Sequence, residues 1–351
     1  MPDATHEPRE VSGEGRGRLI EFSAERDPSP LPQNNLPLQL TSFVGREREI
    51  AELEKLLSGE ARLLTLIGPG GCGKTRLALS AAFRLAGDFE SGVWWVELAP
   101  LSDPDLVAQA VARALGVREA PGRSQTEALL EHLENRKVLL VLDNCEHLVE
   151  GCAALADAML RSCPGLRVLA TSREALSIVG ERTWPVPPLS SPTSHSLPPI
   201  EKLRSYEATS LFVERANAVV PTFGLTEQNA PTVAKLCRIL DGMPLAIELA
   251  AARVRLLSVE QISSRLGDSL ALLTGGSRTA LPHQRTLRAA MDWSYELLSK
   301  EEQVLLGRLS VFAGGSPWRR QKRCVAEKVS RRGGFQTRPY WTCSRAWWTS
   351  R

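Results

Sequence analysis

Residues 68–75 read Gly68-Pro69-Gly70-Gly71-Cys72-Gly73-Lys74-Thr75, which meets G-x-x-x-x-G-K-[ST] at every defined position. The run is preceded by a short apolar stretch and followed by a helical pattern, the context that marks a phosphate-binding loop. Glycines let successive backbone N–H groups curl inward toward phosphate oxygens. The helix that starts near Lys74 adds the positive end of its dipole. Lys74 brings a point charge to the β- and γ-phosphates, and the Thr75 hydroxyl is a magnesium ligand. The chemistry is that of ATP or ADP with Mg2+, and Arg76, directly after the loop, is a further candidate contact.

A second acid-bearing run supports the same chemistry. Val138 to Leu142 is almost unbroken apolar sequence and ends in Asp143, a carboxylate at the tip of a buried strand. Open α/β sheets present ligand groups there, so Asp143 is the candidate magnesium partner, with Glu146 the nearest further acid. Alone, Asp143 could equally be a helix cap; beside the loop, the metal role is favoured. Cys72 reads as a small filler at a variable loop position, and His147 as a cap or surface residue rather than a base.

The elements that position these groups follow from periodicity. Helices are expected over Glu47–Ser58, Lys74–Leu85, Asp105–Leu115, Thr126–Glu134 and Ala153–Arg161. Apolar runs of strand length lie at Arg62–Ile67, Gly92–Leu98, Lys137–Leu142 and Leu166–Thr171, with a fifth at Thr183–Val186. Continuous apolar strands alternating with helices predict an α/β fold, a parallel sheet covered on both faces. Pro185 to Pro199 contains six Pro and four Ser, a connector. Beyond it the pattern is helical: Tyr206–Val219, Gln228–Leu240, Leu245–Arg255, Ser258–Leu266 and Gln284–Leu297.

Composition excludes several classes. With 43% hydrophobic and 24% charged residues over 351 positions, the chain can bury a sizeable core. It lacks the ~18 apolar residues of a membrane span and an apolar signal segment. Seven cysteines without a C-x-x-C pair fit reduced thiols and a cytoplasmic location. Residues 1–36, rich in Pro, Glu, Ser and Gly, read as a disordered leader, too short for an N-terminal DNA-binding or kinase domain. The formal charge of +3 is unevenly spread: Ser316–Arg351 carries +9 and residues 1–315 carry −6.

Five motifs in order give a resemblance: Leu40–Glu47 (LTSFVGRE), the phosphate loop, Leu142–His147 (LDNCEH), Ala170–Glu174 (ATSRE) and Asp241–Glu248 (DGMPLAIE). Together they resemble the STAND-class regulatory ATPases of the NB-ARC (apoptotic-ATPase) type, in the bacterial branch attached to LuxR-type or related transcriptional regulators. The likeness covers about Leu36 to Gly315. It implies that Val44, Gly45 and Arg46 lie against adenine and ribose, that Arg173 senses the γ-phosphate, and that Pro244 packs near the base from a small helical domain.

The position after the metal-binding acid, where relatives often carry a second acid, is Asn144 here. An amide orients water but cannot take its proton, so hydrolysis should be slow unless Glu146 substitutes. A slow ATPase suits a switch between ATP and ADP arrangements. Self-association in the ATP state, no membrane and no direct nucleic-acid contact complete the expected partners.

These motifs divide the chain into a leader (1–36), a P-loop domain (37–187), a connector (188–200), a helical domain (201–271) and the start of a winged-helix domain (272–315). The basic tail (316–351) departs from the family. Read one base out of register, with permitted codon choices, Pro317–Val325 becomes Leu-Glu-Ala-Ala-Glu-Ala-Val-Cys, an amphipathic helical string. Tyr340–Arg351 likewise becomes Leu-Asp-Leu-Leu-Ser-Arg-Leu-Val-Asp-Lys-Ser. The expectation is an out-of-frame tail on a truncated regulator, which the gene's reading frame tests. The expected function is a nucleotide-switched signal-transduction ATPase that regulates transcription through domains missing from this chain. The competing class is a self-sufficient P-loop NTPase, helicase-like or kinase-type; the Met243-Pro244 motif and the lack of a substrate constellation favour the switch.

Overall fold

The computed structural model describes residues 33–118, 122–192 and 198–268, together with Lys300, Gln303 and Val304. The helix expected over Gln284–Leu297 and the basic tail lie outside the described residues, as does the winged-helix segment apart from those last three.

In chain order the elements are α1 (Glu47–Ser58), β1 (Leu63–Ile67), α2 (Lys74–Leu85), β2 (Val93–Glu97), α3 (Val107–Leu115), α4 (Gln125–Leu133), β3 (Val138–Asp143), α5 (Val149–Ser162), β4 (Leu166–Ser172) and β5 (Glu181–Pro185). Helices α6 (Ile200–Arg204), α7 (Glu207–Val219), α8 (Ala230–Ile239), α9 (Pro244–Ala251) and α10 (Val259–Asp268) follow. The strands form one five-stranded sheet in the order β2-β3-β4-β1-β5, parallel at every pairing. This is the α/β architecture that the unbroken apolar runs predict. All residues of β1 and β3 are buried, as they must be where helices cover both faces.

Strand alternation sorts the two cores. Val138, Leu140 and Leu142 of β3 point into one cluster with Val111 of α3, Leu129 of α4 and Leu155 of α5. Leu139 and Val141 point into the other, with Leu53 of α1 and Leu77 of α2. A third cluster, built on Leu203, Phe212, Val233, Leu236, Ile247 and Ile262, belongs to α6–α10.

Several boundaries differ from the periodicity reading for local reasons. A 3₁₀ turn over Pro104–Leu106 precedes α3, so that helix starts at Val107. Helix α5 begins at Val149, earlier than expected, and runs through Gly151. That glycine admits the backbone of Pro104, whose carbonyl would lie 2.6 Å from an added Cβ. Helix α6 has only five residues and shows no periodicity to read. At the end of the expected leader, Asn34 bridges Val93. Asn35 exchanges two hydrogen bonds with the Trp95 backbone, and Leu36 is buried, so residues 34–36 line the β2 edge of the sheet. The opposite edge, β5, is mostly exposed and ends in Pro185, which an edge strand tolerates.

Candidate functional site

The phosphate loop leaves β1 at its carboxyl end and enters α2 at Lys74. Gly71 and Gly73 take φ of +81° and +90°, backbone that favours glycine. Gly73 stands at the N-cap with no side-chain cap on the helix, so the first N–H groups of α2 are left for another acceptor. Lys74 is buried and donates Nζ to the carbonyls of Gly68 (2.8 Å) and Pro69 (3.2 Å), folding over the loop. Cys72 is buried with its sulfur facing Gly68, and burial pushes its thiol pKa up.

The neighbouring strand tips bring the acids. Asp143 is buried, and its Oδ1 accepts the Thr171 hydroxyl at 2.7 Å. Desolvation raises its pKa to about 6, opposed by hydrogen bonds from Thr171 and from Thr75. The candidate metal pair, Thr75 and Asp143, is thus near enough for the Thr75 hydroxyl to favour the ionised carboxylate. Asn144 turns the chain with φ +69° and donates its backbone N–H to Thr171 Oγ1 at 2.9 Å. That turn carries Glu146 back toward β4, where its Oε1 accepts Arg173 Nε at 3.1 Å. His147 lies apart from the phosphate loop, its Nε2 bonded to the Leu101 carbonyl at 2.8 Å.

From the other side, the run before α1 and the helical domain close the site. Arg46 is buried with φ +63°, and its Nη2 donates to the carbonyls of Cys72 (2.6 Å) and Pro187 (3.0 Å). The Gly45 backbone, φ +72°, lies where an added Cβ would collide with Glu207. Glu207 Oε1 in turn accepts the Arg46 N–H at 2.5 Å. Gly242, φ +64°, has room for no side chain against the Leu189 carbonyl, and Pro244 opens α9 at the position where proline suits a helix. The Leu245 N–H donates to the Gly71 carbonyl at 3.2 Å.

A cavity of about 220 Å³ lies between these parts, lined among others by Val44, Arg46, Gly70, Gly71, Gly73, Lys74, Thr75, Asn144, Glu146, Arg173 and Pro244. The sequence-predicted residues therefore converge, with three differences of detail. Gly45, Gly68, Pro69 and Cys72 shape the backbone around the cavity rather than line it. Asp143 is buried and does not line it. Arg76 lines the cavity but is engaged by Glu248 (3.2 Å) and by the carbonyls of Thr41 and Ser42. Sequence reasoning assigned no role to Thr171, Glu207, Arg215 or Glu248. Thr171 and Glu248 fall inside the quoted motifs, which was the available signal; Glu207 and Arg215 carry none.

The arrangement accommodates a magnesium nucleotide. Buried donors Arg46 Nη1 and Asn144 Nδ2 and the acceptor Glu146 Oε2 have no hydrogen-bond partner among the described residues. Buried polar atoms are rarely left so, and these belong to cavity-lining side chains whose chemistry suits phosphate and metal-bound water.

Sheet, loop and strand-tip acid define a P-loop ATPase domain capped by a small helical domain. A family model described as an AAA domain matches residues 57–180. The uncharacterized protein Rv0894 of Mycobacterium tuberculosis is 45% identical over 283 residues, 81% of this chain and 68% of that protein. This chain belongs to the Rv0894 family. A second M. tuberculosis protein, Rv0890c, described as an HTH-type transcriptional regulator, is 46% identical over 261 residues, 74% of this chain and 28% of its own length. The regulatory protein AfsR of Streptomyces griseus is 29% identical over 287 residues, 75% of this chain and 27% of that protein. The domain is therefore a P-loop ATPase of the regulator-associated kind. No helix among the described residues is long and apolar enough to cross a membrane.

Proposed function

We propose that the chain is the nucleotide-switched core of a cytoplasmic regulator of the STAND, NB-ARC-like class. In this reading it binds ATP or ADP with Mg2+, hydrolyses ATP slowly, self-associates in the ATP state and controls transcription through attached domains. The observation that carries the reading is the hydrogen bond from Leu245 N–H to the Gly71 carbonyl. The helical domain is fastened to the phosphate loop itself, so an occupant of the loop acts directly on the domain joint. Regulator relatives that are much longer than this chain support a role within a larger protein.

Each side chain has a task in this scheme. Lys74 and the α2 N-terminus hold the phosphates, and Arg46 braces the loop through Cys72. Thr75 and Asp143 would hold the metal, which would supply charge neutralisation to the phosphates. Asn144 orients water without accepting its proton, consistent with slow turnover. Arg173 reads the terminal phosphate, and Pro244 covers the base.

Nucleotide content and turnover of the purified chain test the proposal, with Lys74→Ala as control. Retained ADP or tight ATP binding with slow hydrolysis, lost in the variant, is the expected result. Rapid turnover coupled to a second substrate, or no binding at all, overturns it.

A further inference from the structure

We infer that Glu146 sets the preference of the nucleotide site between triphosphate and diphosphate, by holding the Arg173 guanidinium that a terminal phosphate would otherwise claim. The inference rests on the proposed nucleotide site and goes beyond it, since it gives Glu146 a specificity role in place of the water-activating one. Glu146 and Arg173 form an ion pair at 3.1 Å with side chains 3% and 15% exposed. Both line the cavity beside Lys74 and Thr75. The pair spans two adjacent strands, Glu146 in the turn after β3 and Arg173 directly after β4. The turn is pinned from behind by His147 on the Leu101 carbonyl, so the carboxylate is held in place rather than drifting on a loop.

The energetic consequence follows from burial. A guanidinium this far from solvent needs a counter-charge, and removing a buried partner leaves an expensive uncompensated ion. Glu146 provides that charge when the cavity holds a diphosphate. A γ-phosphate brings its own negative charge and competes with Glu146 for the same cation. The pair therefore taxes triphosphate binding and spares diphosphate binding, biasing the site toward the ADP form. Glu146 Oε2, without a partner among the described residues, adds repulsion toward a third phosphate on the same side.

The test compares the affinities of the full chain for ADP and for a non-hydrolysable ATP analogue, both with magnesium, by calorimetric titration. Glu146→Gln is expected to raise the ratio of analogue to ADP affinity about tenfold. Glu146→Gln combined with Arg173→Gln is expected to abolish that rise. Glu146→Asp keeps the charge at shorter reach and moves the ratio in the same direction by less, a readout that survives if the glutamine variant folds poorly. An unchanged or lowered ratio in both single variants overturns the inference. So does a ratio unchanged while ATP turnover collapses, which would make Glu146 the water-activating base. Absence of nucleotide binding by the wild-type chain overturns the site reading, and this inference with it.

Discussion

Leu245 donates its backbone N–H to the carbonyl of Gly71, 3.2 Å away, across the boundary between the helical domain and the phosphate loop. The two residues also touch through side-chain space: a Cβ built on Gly71 would lie 2.9 Å from Leu245 Cβ. A loop that must stay open to phosphate on its inner side is thus closed to any side chain on its outer side.

Gly71→Ala should separate the effects of that contact. The φ of +81° disfavours alanine and the new methyl overlaps Leu245, for a combined cost of about 1–3 kcal/mol. Chemical denaturation measures it. Adding Leu245→Ala should recover part of the loss, because the two substitutions share one contact. Full additivity would mean that the backbone strain alone is responsible.

Asp143→Asn should stabilise the metal-free protein while abolishing magnesium-dependent nucleotide binding. Burial raises the carboxyl pKa from 3.8 to about 6, so the folded state holds its proton more tightly than the unfolded chain does. Stability from this group is present below pH 4 and is lost as pH rises through 6; the ionised form then costs up to about 3 kcal/mol. The asparagine variant keeps an acceptor for Thr171, so its melting temperature should exceed wild type at pH 7.5, with the advantage gone at pH 4. A less stable variant at pH 7.5 would contradict this account.

Glu248→Gln should loosen the domain joint more than it lowers global stability. One oxygen, Oε1, takes both Arg76 (3.2 Å) and Arg215 (3.0 Å). The carboxylate is about one-third exposed, so solvent screening limits the loss to about 1 kcal/mol. Hydrogen exchange should quicken in α9 amides while β3 amides keep their protection. Equal acceleration in both would argue for global rather than local opening.

Arg46→Lys should be costly although the charge is kept. One guanidinium nitrogen serves the carbonyls of Cys72 and Pro187, and a lysine, one bond shorter, places its ammonium short of that nitrogen's position. The expected loss is about 1–3 kcal/mol, with weaker nucleotide retention because Cys72 lies within the phosphate loop. Unchanged stability would show that the two carbonyls find other partners.

How much of this was legible in the sequence depended on what each residue's signal was. The limits of α1 and α2 and the positions of β1 to β4 follow from apolar periodicity, which local backbone geometry obeys directly; β5, expected at Thr183–Val186, is a mostly exposed edge strand that begins at Glu181. The convergence of Lys74, Thr75, Asp143, Asn144, Glu146 and Arg173 followed from strand tips sharing one end of a parallel sheet. Pairings between distant side chains were not legible. Nothing local to Glu207 reveals that it receives the Arg46 N–H 161 residues away, or local to Arg215 that it shares Glu248 with Arg76. Nor does a strongly polar run such as Gln33-Asn34-Asn35 announce that the Asn35 amide pairs with a sheet edge.

The strand order has a consequence for biosynthesis. Strand β1 is made first but lies between β4 and β5, whose residues emerge roughly a hundred positions later, and α9 follows later still. Contacts of such sequence separation form late and slowly. A ribosome that has delivered the phosphate loop has therefore delivered Arg46 to brace it, but neither the strands that flank β1 nor the Leu245 N–H that bonds Gly71. The nascent segment must wait, with its apolar strands exposed, until Pro185 and then Leu245 have been made. Nucleotide capture should accordingly mark completion of this region during synthesis, and an early stop before α9 should yield a chain that neither binds nor stays in solution.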